Sequence, residues 1–348
     1  MAPFDSPAAR SGSQFDSPAA RSGSRLLEEG AVVETSGSTG SPKRVVLSGA
    51  AFRASAAAAT EALGAPGDWV LTLPTDYVAG MNVLARAAHM GTEVVRAVGG
   101  PSFSAMGFAA VVLGRDPGVP LYTSLVPIQL QRLLDSVPGL DALRTFSRIL
   151  LGGQAPDPAL LRRARQEGLP VTITYGASET CGGVIWDGRP IGDAAYRLID
   201  GVVHLGGPTL ADGYEGDAER TAEAFPVIDG VRWHRTRDFG EERSGRLFVL
   251  GRLDDVIVSG GLKVSLTEVE FAARSFGLVD AVAVAVERQG WGQAPAVVAT
   301  GAADLDALRE HVEANLGPAA RPVAFRRVER MPLLASGKPD RAAIRALF

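Results

Sequence analysis

Apolar residues recur with two different periods along this chain. Ser48 to Leu63 and Gly80 to Met90 carry them at helical spacing, as do Ile128 to Leu134 and Pro158 to Glu167. Between these stretches lie short apolar runs, Trp69 to Leu73, Thr92 to Ala97, Arg148 to Leu151 and Val171 to Tyr175. They read as strands bounded by turn residues. Strands alternating with helices predict an α/β layered fold. From Asp200 the texture changes: short strands at Val202–Leu205, Val231–Trp233 and Leu247–Leu250 predict a smaller β subdomain. From Ile257 onward, helices over 266–275 and 305–316 and strands over 279–286 and 296–300 predict a compact α+β unit. The expected organisation is α/β: a large N-terminal domain with a β subdomain over 26–253, then a small C-terminal α+β domain over 254–348.

Residues 1–25 read differently. The segments 3–13 and 14–24 are near-copies, sharing Phe-Asp-Ser-Pro-Ala-Ala-Arg-Ser-Gly-Ser. Small, polar and proline-containing, they predict a mobile tail, either natural or a cloning remnant.

Composition narrows the chemistry. A length of 348 residues suits two domains, and 46% hydrophobic residues can fill their cores. A formal charge of −4 without a basic tract argues against a nucleic-acid partner. One cysteine, Cys181, leaves no disulfide framework or thiol-rich metal site and fits a reducing cytoplasm. No apolar run approaches membrane-spanning length, and the N-terminus has no apolar signal core. The four histidines are scattered without metal-ligand spacing. The oligomeric state stays open, a homodimer included.

Thr35-Ser36-Gly37-Ser38-Thr39-Gly40-Ser41-Pro42-Lys43 packs hydroxyls, two glycines and a lysine between two strand-like runs. Glycines let backbone N–H groups approach a phosphate, hydroxyls donate and lysine supplies charge. The spacing is not that of a Walker A loop. A flexible Gly/Ser turn is the plain alternative. Further on come Tyr175-Gly176-Ala177-Ser178-Glu179-Thr180, Thr236-Arg237-Asp238, Gly251-Arg252-Leu253-Asp254-Asp255, and Ser336-Gly337-Lys338-Pro339-Asp340-Arg341. Gly207-Pro208, Gly213-Tyr214 and Thr221 fall between them.

In this order the motifs resemble the superfamily of acyl-CoA synthetases, adenylation domains and firefly-type luciferases, from about residue 30 to the C-terminus. The resemblance implies an ATP- and Mg²⁺-dependent activation of an acid as acyl-AMP, followed by transfer to coenzyme A. It implies that Lys43 and the loop Thr35 to Gly40 hold the β- and γ-phosphates. Tyr175, Gly176 and the loop Gly152-Gly153-Gln154 line the adenine. Asp238, with Arg252, binds the ribose. Ser178 donates to a phosphate and Glu179 holds Mg²⁺ through oxygen. Lys338 stabilises charge at the α-phosphate as the carboxylate attacks. The small domain is expected to turn about Asp254, withdraw Lys338 and bring Gly260-Gly261 to a tunnel for the CoA thiol. No enzyme nucleophile is needed, so Cys181 reads as a small buried residue. The chain departs from the family at Arg237, where glycine is usual; an arginine there argues against a positive φ. It departs again at Leu266, where a helix-opening proline is common.

Leu73-Pro74-Thr75-Asp76-Tyr77-Val78-Ala79-Gly80, Ser124-Leu125-Val126-Pro127 and Thr174 to Gly183 are similar to o-succinylbenzoate–CoA ligases of menaquinone biosynthesis in a short actinobacterial form. Tyr77 takes a position where histidine is common. Such a substrate has two carboxylates, of which one reacts. Arg86, six residues after Gly80, is the candidate for the other, because arginine binds carboxylate through two parallel hydrogen bonds; a helix-surface arginine is the alternative. Tyr77, Gly80 and Ser124 complete the acid-side candidates, with Gly182 and Gly183 expected to leave room for the aromatic ring. The rival readings are another aryl- or short-dicarboxylate–CoA ligase, a stand-alone adenylation domain loading a carrier protein, and a catalytically silent nucleotide-binding protein.

Overall fold

The computed structural model describes residues 17–35, 43–97, 103–278, 280–288, 290–333 and 339–348. They fall into two compact units. The first takes the residues up to Arg197 with His204–Arg235, and the second takes Leu198–Val203 with Thr236–Phe348. The expected boundary at Asp254 lies inside the second unit. An antiparallel ladder from Asp238↔Arg252 to Arg243↔Arg246 ties the residues ahead of that boundary to those that lead into it.

The first unit is built on a seven-stranded sheet. Its order is Val94–Arg96, Asp68–Leu71, Leu121–Leu125, Arg148–Leu151, Val171–Ala177, Gly182–Trp186, Arg189–Pro190. The first five strands run parallel and the last two pair antiparallel. Parallel strands are covered on both faces, so the central ones are largely apolar on both sides. Successive side chains take opposite sides. Trp69, Leu71 and Leu150 join a core that includes Phe52 and Val83, while Val70, Ile149 and Leu151 join one that includes Phe108 and Leu130. The helices Gly49–Leu63 and Val78–Met90 supply the first core; Ala105–Val112 and Pro127–Leu134 supply the second. Strand Leu121–Leu125 was not anticipated, because Thr123 and Ser124 interrupt its apolar run. Both are buried, and Thr123 Oγ1 donates to the Val70 carbonyl at 2.9 Å.

The expected tail needs correcting over residues 17–25. Pro18–Glu29 is a helix whose N-cap, Ser17, accepts from the Ala20 amide. Ala19, Gly23 and Leu26 are buried on one face. A Cβ at Gly23 would collide with the Leu84 carbonyl, so the helix crosses Val78–Met90 at backbone contact distance. The small residues that read as a mobile tail are those a close helix crossing requires. Residues 1–16 lie outside the described residues.

In the second unit, Val256–Ser259 and Leu262–Ser265 form a hairpin, and Val282–Arg288, Gly292–Ala299 and Ala324–Arg327 extend the sheet. Helices Leu266–Ser275 and Leu305–Leu316 pack on it through Val269, Ala273, Leu308 and Val312. Ser265 caps the first helix, and Leu266, the departure from proline, is buried in this core. Arg341 Nη2 lies 2.8 Å from buried Glu270, and Nη1 donates to the Ala283 carbonyl at 2.6 Å.

Candidate active site

Strand Ala31–Thr35 pairs with Lys43–Leu47, so Thr35 and Lys43 face each other across the mouth of the Gly/Ser loop. Ser36, Gly37, Ser38, Thr39 and Gly40 lie outside the described residues, as does Lys338. A third strand, Gly213–Tyr214, adds to the other edge of Lys43–Leu47, with Tyr214 opposite Val45. The Lys43 ammonium sits 5.1 Å from the centroid of the Tyr214 ring.

Strand Val171–Ala177 carries Tyr175 and Gly176 into the 3₁₀ turn Ser178–Thr180. A register shift between Tyr175 and Gly176 marks a bulge in the pairing with Gly182–Trp186. Gly176 is required by close approach, since a Cβ there would strike the Gly182 carbonyl. Glu179 is 9% exposed, and its Oε1 accepts from the Tyr214 hydroxyl at 2.7 Å. Oε2 accepts nothing from the described residues. Burial, with the Glu179 carboxylate beside it, pushes the Tyr214 phenol well above its ordinary range. No group of three or more His, Cys, Asp or Glu able to hold a metal occurs among the described residues. A single carboxylate of this kind suits Mg²⁺ that arrives with its own phosphate oxygens and waters. Gly152 lies against Thr174, and Gly153 takes φ +82° beside exposed Gln154.

On the acid side, the helix Val78–Met90 places Asn82 and Arg86 one turn apart on its buried face. Arg86 is 4% exposed, which removes the helix-surface alternative. Its guanidinium lies 5.4 Å from the Trp69 ring centroid, and its buried Nε has no hydrogen-bond partner. Burial lowers this guanidinium from 12.5 to about 10. Burial also pushes the Cys181 thiol up to about 12, against the pull of nearby Arg86 and a hydrogen bond with Ser55. Asn82 Nδ2 and Ser55 Oγ both donate to the Cys181 carbonyl, at 2.8 and 3.2 Å. They hold Cys181 at φ 51°, immediately after the Ser178–Thr180 turn. The sequence reading passed over Ser55, Asn82 and Tyr214 as site residues. The i, i+4 spacing of Asn82 and Arg86, in a helix otherwise polar only at His89, was the available signal.

Other acid-side candidates fare differently. Tyr77 is 56% exposed at the helix N-cap, and Ser124 is buried with its carbonyl accepting from Thr72. Gly80 is occupied by the chain's own backbone: a Cβ there would strike the Pro74 carbonyl. At Gly182 and Gly183 side chains approach instead: Cβ atoms there would meet those of Asn82 and Thr174. All three glycines therefore permit close packing among Leu73, Pro74, Val78–Met90, Val171–Ala177 and Gly182–Trp186.

In the second unit, Asp238 and Arg252 face each other across the hairpin, with Nε and Oδ1 3.6 Å apart. Thr236 Oγ1 accepts from the Asp238 amide and donates to the Val203 carbonyl, fixing the aspartate's backbone. Arg237 lies in the continuous strand Val231–Arg243 and is absent from the residues with positive φ, so arginine fits here without strain. The backbone of Asp254 belongs to the 3₁₀ turn Leu253–Asp255; its side chain is outside the description. Gly260 and Gly261 make the hairpin turn at φ +56° and +80°, and Gly260 lies against the Trp291 ring.

Comparison with known proteins agrees with these motifs. A family model described as AMP-binding enzyme matches residues 31–214, and one described as AMP-binding enzyme C-terminal domain matches 268–338. A probable 2-succinylbenzoate–CoA ligase of Mycobacterium tuberculosis is 36% identical over 90% of this chain and 83% of its own length. Among solved structures, o-succinylbenzoate CoA synthetase from Bacillus subtilis, in complex with the acyl-adenylate intermediate, is 25% identical with a TM-score of 0.78. That match covers 92% of this chain and 69% of the other. The same enzyme with ATP and magnesium ion, at 24% identity and TM-score 0.76 over 91% and 70%, shares the fold.

Proposed function

The chain belongs to the AMP-binding enzyme family, and we propose that within it the protein is a 2-succinylbenzoate–CoA ligase of menaquinone biosynthesis. Acid and MgATP give acyl-AMP and pyrophosphate; acyl-AMP and coenzyme A then give the thioester and AMP. Buried Arg86 carries the assignment of the acid. A guanidinium stripped of water, with Nε unpartnered, is a poor structural element and a good receptor for a second carboxylate. Asn82, one helical turn before it, donates to the Cys181 carbonyl, and Cys181 directly follows the turn that carries Ser178 and Glu179.

In this reading Lys43 and the loop from Thr35 to Gly40 hold the β- and γ-phosphates, and Ser178 donates to a phosphate. Glu179 takes Mg²⁺, which when bound neutralises phosphate charge. Tyr175, Gly176 and Gly152 to Gln154 line the adenine, and Asp238 accepts from the ribose hydroxyls beside Arg252. Lys338 stabilises charge at the α-phosphate during acyl-AMP formation. Turning about Asp254 then withdraws it and brings Gly260 and Gly261 to the thiol path. Supply of ATP and coenzyme A fits a cytoplasmic site, and among the described residues no helix is long and apolar enough to cross a membrane. Light scattering of the purified chain tests the homodimer expectation.

A panel of aryl and short dicarboxylic acids, assayed for CoA thioester by mass spectrometry and for pyrophosphate release, tests the assignment. 2-Succinylbenzoate is expected to give the highest kcat/KM. A higher value for another acid overturns the substrate, and acyl-AMP without thioester overturns the acceptor.

A further inference from the structure

We propose that Tyr214 is a positioning residue that sets the metal-binding carboxylate of Glu179 against the phosphate-binding ammonium of Lys43. The proposal rests on the roles given above to those two residues. Four contacts converge on this one side chain. Its hydroxyl donates to Glu179 Oε1 at 2.7 Å, a length typical of a charge-assisted bond. Its ring lies under the Lys43 ammonium at 5.1 Å and near the Arg220 guanidinium at 5.8 Å, both within reach of a cation–π attraction. Phe225 packs beside it at 6.0 Å.

The backbone that carries this ring is tied to its neighbours. Tyr214 is 7% exposed and pairs with Val45 in the strand that begins at Lys43. The Asp212 and Glu215 amides donate to the Val46 and Arg44 carbonyls on either side of it. Its own amide donates to Thr221 Oγ1 at 2.9 Å. The Ala211 amide donates to the Glu179 carbonyl at 2.9 Å, so the same segment is tied to the Ser178–Thr180 turn through backbone as well.

A phenylalanine would fill this core as well as tyrosine does. The hydroxyl is what needs explaining, since a buried O–H is unfavourable without an acceptor. Here its acceptor is one oxygen of the carboxylate expected to meet magnesium. With Oε1 engaged, Oε2 is the oxygen presented to the metal, and its direction follows from the tyrosine. The other face of the same residue fixes where the Lys43 charge sits. Tyr214 therefore couples metal position to phosphate position through a single rigid ring, a division of labour in which a supporting group orients a ligand it does not replace.

Removing only the hydroxyl separates the two functions. Binding of ATP to Tyr214→Phe by calorimetry in EDTA is expected to stay within twofold of wild type, which also shows that the variant is folded. The Mg²⁺ concentration giving half-maximal MgATP affinity is expected to rise about tenfold, and Mn²⁺ affinity of the enzyme–ATP complex, read by electron paramagnetic resonance, to fall alike. Tyr214→Leu, which also removes the ring, should weaken ATP binding in EDTA. Glu179→Gln serves as the reference, with a larger loss of metal affinity than Tyr214→Phe. A shift below twofold in the phenylalanine variant, with Glu179→Gln impaired, overturns the role of Tyr214 alone. Equal weakening of ATP with and without metal in Tyr214→Phe overturns it too, as it marks a general packing defect. An unimpaired Glu179→Gln overturns the proposal together with the reading of Glu179.

Discussion

Replacing Arg86 with leucine should weaken diacid binding while leaving the free enzyme at least as stable. The two effects have opposite signs, which makes the test sharp. Burial holds the guanidinium at about 10 in place of 12.5. At about 1.4 kcal/mol per pH unit, keeping it charged near neutrality costs the folded enzyme about 3 kcal/mol. The Trp69 ring, 5.4 Å away, returns about 1 kcal/mol of this. Leucine removes both terms, so the unfolding midpoint should hold or rise. When the diacid binds, its unreactive carboxylate gains a buried cation, and in the variant that carboxylate is left unpaired in an apolar setting. A loss of about 3 kcal/mol corresponds to a KM for 2-succinylbenzoate raised more than a hundredfold, with the KM for ATP near wild type. Steady-state kinetics with the diacid and with an analogue lacking the unreactive carboxylate, plus thermal unfolding of both proteins, would read each quantity. An unchanged preference for the diacid would refute the carboxylate assignment. A drop in stability of several kcal/mol would show that Arg86 is structural. The second carboxylate would then be read elsewhere, with Tyr77, Thr123 and Ser124 next to test.

Four further outcomes follow from the same arrangement. Lys338→Ala should lower acyl-AMP formation by about 3–4 kcal/mol of transition-state stabilisation and spare thioester formation from pre-made acyl-AMP; equal damage to both half-reactions would sink the two-conformation scheme. Asp254→Pro should do the reverse, because proline fixes φ near −65° in the expected hinge; wild-type overall turnover would move the hinge elsewhere. Cys181, the single cysteine and a thiol pushed up to about 12 by burial, should stay almost wholly protonated at pH 9, so native-state alkylation by iodoacetamide at that pH should be far slower than alkylation of the denatured chain. Rapid labelling by mass spectrometry would show the pocket open to reagent. Arg341→Ala removes the closer of two arginines from buried Glu270, leaving Arg274 at 3.4 Å and the Ala283 amide, and should lower stability by about 3 kcal/mol in chemical denaturation, whereas a loss below about 1 kcal/mol would mean that Arg274 and the amide suffice.

Much of the fold was legible because periodicity is a local property. The helices over 266–275 and 305–316 and the strand Arg148–Leu151 were readable to the residue, since apolar spacing, a cap and a glycine stop all lie within one segment. The helix Pro18–Glu29 was misread for the same reason. Its composition is that of a tail, and only the surface of Val78–Met90 makes Ala19 and Gly23 useful. Strand Leu121–Leu125 escaped notice because the Thr123 hydroxyl finds its buried acceptor, the Val70 carbonyl, only once the neighbouring strand is in place.

The sequence by itself determined the chemistry: the order of phosphate loop, Tyr-Gly-Ala-Ser-Glu-Thr turn, aspartate and terminal lysine depends on residue type and spacing along the chain. Tertiary structure alone decided what surrounds each group. Arg86 became a buried cation because Val78–Met90 turns it toward Trp69, and Tyr214 met Glu179 from 35 positions along the chain. It also decided what approaches Gly80, Gly182 and Gly183: the Pro74 carbonyl, the Asn82 side chain and the Thr174 side chain. Burial and partnership are set by segments distant in sequence, and no local pattern encodes them.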